Sequence, residues 1–542
     1  MAYNALPSFD FDYFDQVGSL ASLEVDVSHN RISALGEQFI PTTNESSSSV
    51  QLAHVNNGRE YGVPLSNIKH LDMSSNNISR IDGGYFKPVE LSLVKLSLAE
   101  NRIGNTSREV FGNLPLLQWL DLDNNVINDI AFDTFYNTKM LQVLKLSNNM
   151  ITDIPMELFR NVRGLRVLEM ANNHLKYLPD GLILQDGLER LDLSHNQFTK
   201  IPATSLSNLA ALALCELDLS HNHIGAIHSV DLSNKFRSLS VLDLSHNRLV
   251  RLEDAAFATL PRLSLLDLSH NDELEVMGKA FIGLENSLIE LRLTNVSLNA
   301  VPEVSNPSLR VLKLSHNDLA SIPPELAASM PSLRELDLSE NDLIHVPLIT
   351  HSLHNLKSLS LAGNPITFMT NTSLLGAADT LEHLDIANLN LNGFELDLEY
   401  SNDLLKAFPN PNSAHYLHLP EHVFLTDLHI SGNSLSCDCE IGWIEFWQRK
   451  RRQYLCPANP WTESTTFNGH HKHHASSLMA RSSDDCEDSA DSLREATCSN
   501  KKDESLLEVL KRDLECGWGS AAPKLGFVPA VAFVSVFVVL LI

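Results

Sequence analysis

A short leucine pattern recurs along most of the chain, and it restricts the possible folds more than any other feature of the sequence. Leu309 to Leu319 reads LRVLKLSHNDL, which is LxxLxLxxNxL. Two matching units replace the closing Asn with Val296 and Leu389. The intervals between closing positions 30 and 76 and between 389 and 433 are nearly twice the usual length, which predicts a degenerate repeat or a loop insertion in each. The other fourteen units close with Asn30, Asn76, Asn101, Asn125, Asn149, Asn173, Asn196, Asn222, Asn247, Asn271, Asn317, Asn341, Asn364 and Asn433.

The spacing of this pattern predicts how one unit folds. Leucines at the fourth and sixth positions point to the same face of a short strand. A unit of roughly 24 residues cannot bury them alone, so neighbouring units must stack around one core. The Asn amide both donates and accepts hydrogen bonds, so it can satisfy buried loop backbone. Apolar residues such as Phe159 fill the opposite side. An amphipathic helix would not explain sixteen units in one phase.

These units resemble the leucine-rich repeat family, in its typical extracellular class, over roughly residues 20–436. The resemblance implies an α/β solenoid of horseshoe shape, with a parallel concave sheet and an irregular or short-helical convex side. We expect about 16–18 repeats within residues 1–436.

Six of the seven cysteines follow the last repeat, where a solenoid needs a polar cap over its exposed apolar end. Residues 437–500 are therefore predicted to form a cysteine-rich cap, followed by a polar juxtamembrane segment at 501–518. Cys215 lies within a repeat and is expected to be a free, partly buried thiol. Zinc binding by the cap is not favoured, because the nearby His470–His474 run lacks the spacing of a structural zinc site.

The sequence alone leaves fifteen connectivities open for six cysteines. The resemblance to the C-terminal flank of secreted family members implies two bridges, with Cys498 as an alternative to Cys486, and a third bridge is plausible. The implied pairs are Cys437–Cys456 and Cys439–Cys486, with Cys498–Cys516 as the third.

Several signals favour the secretory route. A disulfide-type cap and five N-x-[ST] sequons occur together. The first ten residues contain no basic region and no apolar core, so no signal peptide is visible. We therefore expect the chain to begin inside a longer repeat array. The sequons are at Asn44, Asn77, Asn105, Asn295 and Asn371.

The segment 519–542 has the pattern of a lipid-anchor signal. Phe527 to Ile542 is apolar or small throughout and would span about 24 Å as a helix, against roughly 30 Å for a bilayer core. No basic residue follows it. Small residues at 519–522 precede it, as in glycosylphosphatidylinositol signals. Gly519 or Ser520 is the expected attachment residue, and a short membrane span is the alternative.

The charge balance excludes some partners. Lys and Arg number 40 against 67 Asp and Glu, giving a net charge of −27. This argues against nucleic acid and against a basic lipid-binding surface. No catalytic motif is present, and the sequence predicts no enzyme activity, cofactor or metal site.

The outward strand positions supply the candidate contacts. Trp119 is a candidate hot spot, although packing against a neighbouring strand is the alternative. Histidines before the ladder Asn, such as His195 and His316, belong to the repeat pattern, and a pH switch is the alternative. Aspartates between the strand leucines predict an exposed acidic stripe, either solvated or bound to a basic partner. The partner-binding candidates among them are Asp192, Asp218, Asp243 and Asp267.

The combined features resemble cell-adhesion members of the family, including those of insect photoreceptors. The resemblance implies a protein on the outer leaflet of the plasma membrane. It would mediate cell–cell contact through a protein on an apposed cell, expected to be a second copy. The alternative is a ligand-binding or innate-immune receptor ectodomain similar to Toll-like receptors.

Overall fold

One short strand recurs in every repeat, and each strand pairs in parallel with the strand of the next repeat. The computed structural model describes residues 2–14, 22–36, 68–206, 213–232, 236–370, 373–377, 380–395, 425–437, 441, 444 and 493–511. The chain divides into two compact units. The first consists of Met1–Leu343 and Pro347–Leu361, and the second of Ile344–Val346 and Ala362–Ile542.

The first unit contains fourteen strands of one parallel sheet, in chain order. The predicted solenoid with a parallel sheet is confirmed. The strands are β1 (Leu23–Asp26), β2 (Ile68–Asp72), β3 (Lys95–Ser97), β4 (Trp119–Asp121), β5 (Val143–Lys145), β6 (Val167–Glu169), β7 (Arg190–Asp192), β8 (Glu216–Asp218), β9 (Val241–Asp243), β10 (Leu265–Asp267), β11 (Glu290–Arg292), β12 (Val311–Lys313), β13 (Glu335–Asp337) and β14 (Ser358–Ser360).

Leucines inside the sheet build the core, as the alternation predicted. In β4, Leu120 is fully buried while Trp119 and Asp121 on either side are half-buried. Leu120 pairs with Leu144 of β5 in register, so equivalent leucines stack from coil to coil. On the side away from the sheet, a Phe is buried in several coils, as with Phe135. Continuous burial across coils is the main stabilising term.

The ladder asparagines join neighbouring coils. The Asn149 Nδ2 donates to the carbonyls of Leu146 and Ser147 in its own coil and of Leu122 in the preceding coil, at 3.0–3.1 Å. Its Oδ1 accepts the N–H of Ile127 at 2.9 Å. The amide therefore donates and accepts as predicted. Where Val296 replaces the Asn, Oδ1 of Asn317 on the next coil accepts two N–H groups instead of one.

Residues 2–14 form the second half of a further repeat, which the sequence pattern did not reveal. The N–H of Leu6 donates to Oδ1 of Asn30 at 3.0 Å, and the N–H of Arg31 donates to the Leu6 carbonyl. Asn4 therefore occupies the ladder position. Tyr3 has the left-handed backbone (φ 57°) of the preceding position. The strand leucines that define the pattern are not part of this segment, which explains the omission.

The second unit carries two more parallel strands, β15 (His383–Asp385) and β16 (Asp427–His429). Its C-terminal part is a three-stranded sheet of Ser434–Leu435, Thr497–Cys498 and Glu504–Ser505, followed by the helix Leu506–Lys511. Ordered structure thus continues past residue 500, the predicted end of the cap.

The structure pairs Cys437 with Cys498, and the expected Cys437–Cys456 and Cys498–Cys516 bridges are wrong. The strand Ser434–Leu435 lies parallel to Thr497–Cys498, which brings the two Cα atoms to 5.3 Å. The sequence could not show this strand pairing. Cys215 is free and half-buried, as predicted. The remaining cysteines of the cap, Cys439, Cys456, Cys486 and Cys516, lie outside the described residues.

Within the described residues, the elements between the strands of the large sheet are short. Paired two- and three-residue strands follow the ladder position in some coils, at Ala34–Leu35 with Arg80–Ile81, Asn105–Thr106 with Asp129–Ile130, Arg251–Leu252 with Glu275–Val276, and Phe368–Thr370 with Gly393–Glu395. The remaining helical segments are Phe11–Phe14, Lys87–Val89, Arg108–Phe111, Ala203–Ser205, Ser229–Leu232, Leu326–Ser329, Leu348–His351, Leu375–Ala377 and Ser499–Lys501.

Candidate interaction surfaces

The strand aspartates are engaged in the turn after each strand, which corrects the prediction of an exposed acidic stripe. Oδ1 of Asp218, for example, accepts the N–H of Ser220 at 2.9 Å. Asp26 is exposed, Asp267 is only 6% exposed and the others are half-buried. The same bond is made by Asp26, Asp72, Asp121, Asp192, Asp243, Asp267, Asp337 and Asp385.

Burial changes the protonation of these carboxyls. It raises the pKa of Asp192 despite two hydrogen bonds from Ser194 that favour the carboxylate. It also raises the pKa of Asp243 to about 6, with Asp267 and Asp218 adding to the effect. Burial of a carboxylate disfavours its charged form. The partner-binding candidates on β7–β10 are therefore structural turn residues, and Oδ2 of Asp267 also pairs with Arg292 at 3.3 Å.

Trp119 lies on the outward face of the sheet and not in the core. It is half-buried, in register with Lys95 on one side and Val143 on the other. The Lys95 Nζ lies 4.2 Å from the centroid of its ring, a cation–π contact. Val167 follows Val143 in register. We call Lys95, Trp119, Val143 and Val167 the tryptophan strip.

Charged residues lie beside the tryptophan strip. The Lys145 Nζ pairs with Glu169 at 2.7 Å. Asp123 takes a position that is Ser, Ala or Thr in the other units, and its Oδ1 accepts the N–H of Ser147 at 2.6 Å. Burial and the neighbouring Asp121 raise the pKa of Asp123 to about 7. Asp123 was not among the predicted site residues. The sequence marks it only by a charged side chain at a position where the other units have a small residue.

Four histidines from consecutive coils form a stack, which we call the histidine ladder. Its members are His195, His221, His246 and His270, with ring centroids 3.9, 3.9 and 4.0 Å apart and planes within 12°. Each has a left-handed backbone with φ between 51° and 57°. Burial and the adjacent rings lower the pKa of His221 and of His246. The repeat predicted the positions, and the shared backbone conformation brings the rings together.

Asn295 occupies the next position after the histidine ladder and separates His316 from it. Its Nδ2 lies 3.2 Å from His270 Nδ1 and donates to Asp272 at 2.9 Å. Asn295 is half-buried, whereas the sequon residues Asn77 and Asn105 are exposed. Attachment of a glycan to Asn295 would require these two contacts to break.

Other predicted site residues fall outside the described part of the chain. These are Asn44, Asn371, Gly519 and Ser520. Within the described residues, no group of three or more His, Cys, Asp or Glu is arranged to hold a metal ion. Among the same residues, no helix is long and apolar enough to cross a membrane.

The repeated strand, the asparagine ladder and the buried Leu and Phe columns define a leucine-rich repeat protein. A model of the family described as "Leucine rich repeat" matches residues 91–224 and 237–366 in overlapping segments. The chain belongs to this family, and within it to the chaoptin group. It is 42% identical to chaoptin of Drosophila melanogaster over 94% of this chain and 48% of that protein. It is 37% identical to chaoptin of Tribolium castaneum, over 82% of this chain and 70% of that protein.

The chain thus spans about half the length of the Drosophila relative. Solved structures agree with the fold. A leucine-rich repeat protein of Leptospira interrogans is similar with a TM-score of 0.53 and 27% identity, covering 64% of this chain and 89% of that chain. The glycosylated Toll–Spätzle complex of Drosophila gives a TM-score of 0.53 at 21% identity, covering 81% of this chain and 57% of that chain.

Proposed function

We propose that this protein mediates cell–cell adhesion at the cell surface by binding a second copy of itself on the apposed cell. The observation that carries the proposal is the similarity to two chaoptins, one of them along nearly all of this chain. The role is binding and not catalysis. By the same similarity, photoreceptor cells are the proposed setting. The likeness to the Toll complex concerns the fold alone, so no observation favours the receptor alternative.

The proposed contact includes the tryptophan strip. Aromatic residues held in place by their neighbours are enriched in binding hot spots, and truncating one typically costs about 2 kcal/mol or more. Trp119 offers a large, half-buried ring that Lys95 holds in place, and Val143 and Val167 extend the apolar surface. The Lys145–Glu169 pair would lie at the polar border of such a contact.

Mixed-cell aggregation tests both parts of the proposal. Cells expressing the full chain behind a supplied signal peptide are labelled in two colours and mixed with unlabelled non-expressing cells. Aggregates should contain both colours and exclude the non-expressing cells. Aggregates that require a different surface protein would show that self-binding is wrong.

Trp119→Ala should abolish aggregation, whereas Leu265→Ala should not. Leu265 has the equivalent strand position on β10 and is also half-buried, so it is a matched control for truncation on the sheet. Equal surface levels and melting temperatures must be shown for both variants. If Trp119→Ala cells aggregate like the unmodified cells, the tryptophan strip is not the contact.

The membrane attachment is proposed to be a lipid on Gly519 or Ser520, with residues after it removed. The support is the sequence pattern of small residues followed by an uncharged apolar tail. A phosphatidylinositol-specific phospholipase should release the protein from intact cells. Retention on the membrane, together with a recovered peptide containing Phe533 and Phe537, would instead indicate a short span. The exposed sequons Asn77 and Asn105 are the proposed glycan sites among the described residues.

A further inference from the structure

Each coil enters its strand along one edge of the solenoid, which we call the leading edge. It comprises the first leucine of the repeat, the two residues before it and the one after it. The backbone runs as a continuous ladder there: the N–H of Arg334 donates to the Arg310 carbonyl at 2.8 Å, and the N–H of Lys357 donates to the Arg334 carbonyl at 2.7 Å. Equivalent side chains on successive coils are therefore neighbours.

From β9 to β14 the leading edge carries five cations and no carboxylate. The segments are 237–240, 261–264, 286–289, 307–310, 331–334 and 354–357. All five cationic side chains are exposed. We call them the basic row, and its members are Arg237, Arg262, Arg310, Arg334 and Lys357.

The four arginines of the basic row are not neutralised by described neighbours, although the whole chain carries a net charge of −27. The nearest acidic strand residues already have partners: Glu290 pairs with Arg292, and Glu335 pairs with Lys313. Within the described part of the chain, the four arginines of the row form no ion pair. A row of unneutralised guanidinium groups on an acidic protein is a surface with one sign of charge. Such a surface selects an anionic partner.

The shape of the row indicates the kind of anion. Parallel strands lie about 4.8 Å apart, so the five steps from Arg237 to Lys357 span roughly 24 Å. The residues between the cations include Ser238, Ser308 and Ser332, and Ile289 is an exposed apolar side chain among them. Guanidinium groups bind oxyanions through paired N–H donors. A thin linear polymer with an oxyanion every few ångströms matches this arrangement.

We propose that the basic row binds a sulfated polysaccharide chain laid lengthwise along the leading edge. The sulfates would accept hydrogen bonds from the cations on five of the six coils, since the coil of β11 carries none. This site lies on a different coil group from the tryptophan strip and does not depend on the adhesion proposal. An acidic polypeptide and a second copy of this chain are the competing occupants.

The test is calorimetric titration of the full-length protein with heparin oligosaccharides of increasing length, near physiological salt. Arg262→Gln, Arg310→Gln and Arg334→Gln are combined in one variant. The control combines Arg31→Gln, Arg102→Gln and Arg248→Gln, which are exposed and follow ladder asparagines on the opposite edge. Both variants lose three positive charges. All six side chains are exposed, so both should fold.

The basic-row variant should bind at least about tenfold more weakly, and the dependence of log K on log salt should become less steep by about two, because three counterion-releasing contacts are lost. Oligosaccharides much shorter than roughly 24 Å should bind poorly. The control should bind like the unmodified protein. Equal weakening of both variants, polyglutamate binding as tightly as heparin, or no binding by the unmodified protein would each overturn the proposal. Loss of cell aggregation without loss of heparin binding would assign the row to a second copy instead.

Discussion

Two neighbouring groups of coils share one interior and differ on their surface. The asparagine coils contain β4–β6 and carry Asn124, Asn148 and Asn172 at the left-handed position before the ladder Asn. The histidine coils contain β7–β10 and carry the histidine ladder at the same position. Backbone φ at these seven residues lies between 50° and 57°. The backbone is thus the same where the side chains differ.

The comparison shows which residues the fold constrains. Leucines and ladder asparagines are buried in both groups and make the same hydrogen bonds. The first outward strand position changes from Trp119, Val143 and Val167 in the asparagine coils to Arg190, Glu216, Val241 and Leu265 in the histidine coils. Surface chemistry can therefore change along the solenoid without any change of architecture.

The largest expected effect is the loss of stability when a ladder asparagine is replaced, and it should be the same in both groups of coils. Asn149→Ala and Asn222→Ala each remove a buried amide that makes four hydrogen bonds to backbone. Leaving several buried groups unsatisfied should cost about 3 kcal/mol or more. Chemical denaturation of the full chain measures both losses.

The control for this prediction is Asn148→Gly. Asn148 is exposed, and glycine keeps its left-handed backbone without strain. The free energy of unfolding should change little in this variant, within roughly 0.5 kcal/mol. A ladder cost that differs strongly between the two groups would mean that their interiors are not equivalent.

The sequence predicted the interior much better than the surface. The leucine spacing defines strand direction and burial, and the ladder Asn has one physical role, so both were predictable. The aspartates were placed on the correct face, but their exposure was overestimated because the spacing does not show that the turn N–H folds back onto Oδ1. The Cys437–Cys498 bridge depends on two strands far apart in sequence. The leading-edge cations were missed because they are spread over separate repeats.

A second prediction concerns acid sensitivity of the histidine coils. The folded-state pKa values of His221 and His246 are lowered, so the unfolded chain binds more protons as the pH falls below about 6.5. Their contribution to stability is present above that pH and is lost on acidification. His221→Asn with His246→Asn places the residue type of the asparagine coils at these positions. The double variant should match the unmodified protein in melting temperature at pH 7.5 and exceed it at pH 5.

The informative quantity is the difference in melting temperature between the double variant and the unmodified protein. Nearby aspartates change the stability with pH in the direction opposite to the histidines. The raised pKa of Asp243, about 6, makes native-state proton uptake stabilising as the pH falls through that value. This contribution is expected to be shared by both proteins and to cancel in their difference. A difference that does not grow on acidification would show that the ladder rings do not resist protonation.

A third effect is expected at Asp123, in the asparagine coils, where the dependence of stability on pH should be opposite to that of the histidine replacement. Burial and Asp121 raise its pKa to about 7, so the native protein holds a strained carboxylate only above that pH. Asp123→Asn keeps an oxygen that can accept the Ser147 N–H and removes the charge. The variant should melt at a higher temperature than the unmodified protein at pH 8, and the gain should shrink as the pH falls below 7 and disappear by about pH 3.5, below the ordinary pKa of the carboxyl in the unfolded chain. The double histidine variant gains stability in acid, whereas Asp123→Asn gains it in base. Melting curves of the two variants across pH would therefore separate the contributions of the two coil groups to the pH dependence of stability. A gain for Asp123→Asn that is the same at both pH values would trace it to packing and not to charge.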